Sequence, residues 1–133
     1  MTSTALIICR EDFERRGFLD WLVSHISLSL PPHRYRGIIE ITDSYIKFTG
    51  TDTRENTDVE FFILKNTILE VYLGYDEAFN IFQTRGLGLF WAPVRLKIQE
   101  DNKREKYIYC IIGYNYFRTA NREFYEFLKE WLA

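Results

Sequence analysis

Four basic residues are the first candidates for chemistry in this chain. Lys65 stands between two apolar runs, and Lys103, Arg104 and Lys106 belong to the charged stretch EDNKREK. If the turns that carry them share one end of a sheet, these cations form a small anion- or lipid-binding site. Asp101 and Glu105 dilute the cluster, and a solvated hairpin of mixed charge is the competing reading. A second candidate is the segment RGLGLFWAPV, residues 85–94. Its two glycines suggest a phosphate cradle, but such a cradle leads into a helix N-terminus. Here it leads into VRLKIQ, which alternates like a strand. The segment is therefore expected to be a strand or bulged corner with Leu87, Leu89 and Trp91 inward. The alternative is an exposed interaction loop presenting Arg85, Phe90 and Trp91.

Other reactive types carry less. His25 and His33 have no cysteine or carboxylate company at zinc-ligand spacing. Cys9 and Cys110 sit inside the apolar runs ALIIC and YIYCIIGY, which predicts two buried, reduced thiols and not a nucleophile. Glu11, Asp12 and Glu14 crowd one turn, as the start of a helix favours. Motifs of the G-x-S-x-G and H-E-x-x-H kinds are absent. The expectation is no catalytic residue, no metal site and no cofactor.

These groups need a scaffold. A chain of 133 residues is the size of one domain, and 47% hydrophobic residues with 17% aromatics argue against disorder. A net charge of −2 lacks the basic field of a non-specific nucleic-acid binder. No apolar run approaches the ~18 residues of a membrane span. The N-terminus MTSTALIICRED meets acids too soon for a signal peptide, so a cytoplasmic protein is expected.

The first quarter reads as a helical extension over residues 1–33. Its helix covers 11–27, with Phe18, Trp21, Leu22 and Ile26 on one face and Asp12 as a cap. Pro31-Pro32 ends it. Alternation then predicts strands over 37–42, 45–50, 59–64, 67–74, 78–84, 94–99 and 107–113. A final helix places Ala120, Phe124, Phe127, Leu128 and Trp131 on one stripe, with Thr119 as N-cap. The fold class is mostly β: a seven-stranded barrel or sandwich closed by a C-terminal helix.

Three stretches carry a family likeness: RGIIEITDSYIKFTG as an opening hairpin, FFILKNTILEV as strand, turn and strand with Ile68 three residues before Val71, and REFYEFLKEWL as a closing helix. In these the chain resembles the pleckstrin-homology-like (PH-like) superfold, above all its GRAM and bacterial PH branches, over residues 35–132. Phosphoinositide-binding members carry spaced basic residues around the first turn. This chain has Asp43-Ser44 there, with Lys47 the only nearby base. The resemblance therefore implies a non-enzymatic module that binds a protein partner or itself. A peripheral binder of anionic lipid, with weak membrane contact, is the alternative. A START-like helix-grip binder of an apolar small molecule is the third reading. It requires ALIIC to be a first strand paired into the sheet, and a longer closing helix.

Overall fold

The computed structural model describes residues 1–14, 33–79, 92–115 and 118–133. Seven strands make one antiparallel sheet. They are β1 (Thr2–Cys9), β2 (Tyr35–Ile41), β3 (Tyr45–Asp52), β4 (Thr57–Leu64), β5 (Ile68–Leu73), β6 (Val94–Gln99) and β7 (Glu105–Ile112). Among the described residues two α-helices join them, α1 (Arg10–Glu14) and α2 (Asn121–Leu132). The strand order is β4-β3-β2-β1-β7-β6-β5.

The expected helical extension over residues 1–33 is corrected at its start. Thr2–Cys9 is a strand at the centre of the sheet, with Ala5 opposite Gly37 on one side and Ile112 on the other. Ala5, Ile7 and Cys9 enter one apolar cluster, and Leu6 and Ile8 enter another. A strand buried on both faces reads as a continuous apolar run with no alternation, which is why ALIIC looks like a short apolar tract. The helix expected over 11–27 is described only at its start, within Arg10–Glu14; residues 15–32 lie outside the described residues. In the expected strand 78–84, Ala78 and Phe79 belong to a bend, and residues 80–84 lie outside the described residues. Among the described residues the seventh strand of the sheet comes from the N-terminus.

Of the expected barrel or sandwich closed by a C-terminal helix, the seven-stranded sheet and the helix are present, but the sheet is not closed. The order ends at β4 on one side and β5 on the other, and these two do not pair. The sheet is nevertheless strongly curled. Laid flat, seven strands would hold their edges about 29 Å apart. The three-residue 3-10 turn Lys65–Thr67 joins those edges directly, and so short a link spans at most about 14 Å. Gly37 and Gly50 help the curl, since they lie opposite each other in β2 and β3. A Cβ on Gly37 would collide with the Thr49 carbonyl, and one on Gly50 with the Arg36 carbonyl. Two backbones approach there more closely than any side chain allows.

The curl makes a concave apolar face. Ile39, Ile41, Ile46 and Phe48 share it, as the alternation of the first hairpin predicts, with Val94, Leu96, Ile108 and Ile112 from the other half. Helix α2 lies on β5, β6 and β7 and buries Phe124 and Leu128 against them. Its start is fixed by Asn121, whose Oδ1 accepts the Ile112 N–H at 2.7 Å while its Nδ2 donates to the Ala92 carbonyl at 2.7 Å. The Thr119 hydroxyl accepts the Asn121 N–H at 3.4 Å. At the far end, the Trp131 indole N–H donates to the Thr42 carbonyl at 2.9 Å, tying the helix to the β2–β3 turn. Among the described residues, no helix is long and apolar enough to cross a membrane.

Candidate functional site

An open, curled sheet leaves a seam where its edges approach without pairing. A groove of about 710 Å³ opens beside that seam, on the concave face between β4 and the β6–β7 hairpin. One wall is the second half of β4, with Phe61 and Ile63. The other is the β6–β7 hairpin, with Ile98 and Ile108. Ile7, Cys9 and Tyr35, with Phe62 and Leu64 at the exposed mouth, complete the apolar lining. Gln99, Glu100, Asp101, Asn102 and Lys106 form the polar rim.

The walls are aromatic by construction. Alternation in β2, β3 and β4 sends Tyr35, Phe48 and Phe61 to the concave face, and the register places Phe48 opposite Phe61. Phe48 and Phe61 stack at 4.9 Å. Tyr35 meets Phe61 edge-on at 5.5 Å, an arrangement that the quadrupole of each ring prefers. Burial raises the Tyr35 phenol above its ordinary range. The Cys9 thiol is also pushed up by burial, to about 11, and Cys110 behind it to about 12. Both cysteines are free and buried. They are neutral at pH 7 and chemically quiet.

Two buried carboxylate clamps hold the surrounding elements. On the outer face, Asp76 accepts from Arg10 Nη2 at 2.9 Å, Arg95 Nη1 at 3.0 Å and the Tyr109 hydroxyl at 2.7 Å. Its other oxygen takes the N–H groups of Ala78 and Phe79 at 2.9 and 2.8 Å. Burial alone would raise this carboxyl, but the bonds from Phe79, Tyr109 and Arg95 outweigh it and hold it down at about 2. At the open end, Arg34 bridges Asp12 and Asp52, each at 2.9 Å. The Arg34 hydrogen bonds hold the Asp52 carboxyl below its usual range. Asp12 does not act simply as a helix cap: it reaches back to the Cys9 N–H at 3.1 Å and pairs with Arg34. Composition and spacing gave no sign of either clamp, because their partners come from separate elements.

The candidate basic residues occupy different places. Lys65 sits in the 3-10 turn, its ammonium 5.1 Å from the Trp131 ring centre. There it lines a second, larger hollow of about 980 Å³ beside the end of α2. That hollow is a mixed surface trough, with Leu64 and Leu69 about half exposed among Asp43, Glu70 and Lys129. Lys106 is at the rim of the seam groove, 3.9 Å from both Glu11 and Glu100. Lys103 and Arg104 are exposed in the β6–β7 turn. Arg85, Phe90 and Trp91 lie outside the described residues. Among the described residues, no group of His, Cys, Asp and Glu is arranged to hold a metal ion. Sequence reasoning did not single out Tyr35, Phe61 or Ile98; the alternation that turns them inward was visible, but the seam between distant strands was not. No protein-family model matches the chain, and no curated protein matches it.

Proposed function

We propose that this chain is a non-enzymatic binder of an apolar small molecule, held in the seam groove of a helix-grip-like arrangement. The observation that carries this reading is the groove itself. Its volume of about 710 Å³ falls within the ~300–1,000 Å³ usual for ligand sites, and its apolar walls with a few polar groups at one end fit the same pattern. The central place of β1 supports the helix-grip alternative over the PH-like one, which drew all seven strands from residues after 35. One feature departs from that alternative: α2 has only 12 residues, about 18 Å of helix. A helix this short covers one half of the sheet and leaves the seam accessible. Binding is favoured over catalysis because the one thiol in the groove is held neutral by burial.

The test is an NMR titration with 2-naphthylmethanol, a neutral apolar probe. Saturable shifts are expected at Cys9, Tyr35, Phe61, Ile63, Ile98 and Ile108. Ile98→Trp, which fills the groove, should abolish them. Shifts confined to the outer residues Leu69 and Tyr72, or no saturation, would overturn the reading. A second reading, contact with a protein or a second copy, draws on exposed Phe62 and Leu64 at one open edge and Leu69 and Tyr72 at the other. Sedimentation that showed a stable dimer, weakened by Phe62→Ser, would favour it.

A further inference from the structure

We infer that the seam groove selects a planar aromatic amine over an aromatic carboxylate. This rests on the groove reading and adds to it the chemical class of the occupant. The two ends of the groove differ in kind. Its inner wall is a panel of rings: Tyr35 stands edge-on to Phe61 at 71°, and Phe61 lies against Phe48 at 24°. Tyr35 and Phe61 remain partly exposed toward the groove. A flat ring can add to such a panel by stacking or by an edge contact, whereas a saturated body of equal size gains only burial.

The rim supplies the charge. Glu100 and Asp101 line it, and the single cation there, Lys106, is shared between Glu11 and Glu100 at 3.9 Å each. Two carboxylates thus share that ammonium, and Asp101 adds a third on the same rim. Lys103 and Arg104 belong to the same turn but do not line the groove. An incoming carboxylate meets two rim acids and a lysine already engaged. An incoming ammonium meets the unmatched acids, with its ring on the aromatic panel beneath.

Four probes read the proposal by NMR titration: 2-naphthylmethylamine, 2-naphthylmethanol, 2-naphthoate and cyclohexylmethylamine. The naphthyl amine is expected to bind at least about fivefold more tightly than 2-naphthoate, with a ratio that shrinks as salt rises. Cyclohexylmethylamine should bind about threefold or more weakly than the naphthyl amine. The double variant Glu100→Gln with Asp101→Asn should bring the amine-to-carboxylate ratio close to one. Naphthoate binding as tightly as the amine, or a ratio unmoved by the double variant, overturns the charge selection. Equal binding of the two amines overturns the aromatic selection. In either case, binding of the neutral alcohol keeps the groove reading standing. If none of the four binds, both fall.

Discussion

The half of the sheet beneath α2 and the half beyond the seam are built from the same alternation but are sealed differently. Val94, Leu96 and Ile112 on β6 and β7 are fully buried, and Phe124 and Leu128 of the helix close over them. On the far side Ile39, Ile46 and Phe48 are buried as well, but Val59 and Phe61 of β4 and Tyr35 of β2 stay partly exposed toward the groove. The difference comes from length, since the apolar concave face is wider than a three-turn helix can cover. What an incomplete cover leaves is a place for something else to sit.

The sharpest break of this comparison is Phe124→Ala, in the sealed half. It should cost about 3–5 kcal/mol in denaturant unfolding, as buried aromatic truncations do. A loss below about 1 kcal/mol would show that α2 is not a true part of the core. Next comes Asn121→Leu, which leaves the Ile112 N–H without its partner. It should cost about 1–3 kcal/mol, and the measurement is again the midpoint of unfolding.

The acid limit compares the two clamps. The Asp76 carboxyl is held at about 2, below its ordinary 3.8. A lowered carboxyl gives stability that is complete above the unfolded value and disappears as pH falls through the folded one. The protein should therefore lose stability between about pH 4 and pH 2, on the order of 1–2 kcal/mol from this group. Asp76→Asn should be less stable at neutral pH and flatter across that window. Asp52, also lowered, acts in the same direction through Arg34. Thermal melts at a series of pH values check both. The smallest effect on stability belongs to Phe61→Ala in the open half, about 1 kcal/mol, yet this substitution should weaken probe binding severalfold. If it proves as costly as Phe124→Ala, the two halves are not sealed differently.

Much of the sheet could be read from the sequence. The pairing of Ile39 and Ile41 with Ile46 and Phe48 followed from alternation about a two-residue turn, and the register bears it out. The stripe of α2 was equally clear, because Phe124 and Leu128 recur at helical spacing. β1 was misread because a strand buried on both faces has no alternation to show, and both its partners lie beyond residue 34. Closure was not legible for a related reason: strand count is local, but whether β4 meets β5 is decided by curl. The candidate site was the least legible. Phe61 and Ile98 look like any inward strand residue until the seam brings them together, and Asp76 looks like a loop acid until two arginines and a tyrosine surround it.

The pairing of Ala5 with Ile112 has a consequence for how the chain is made. β1 is synthesised first, and β7, one of the two strands that flank it, is synthesised last. At ~5–20 residues per second, the roughly hundred residues between them take about 5–20 s to emerge. Through that interval ALIIC, apolar on both sides, can be sheltered on only one flank. A newborn chain is therefore most prone to clump while its first strand waits for its last. Slower translation between residues 42 and 105 should lower the soluble yield without altering the finished protein.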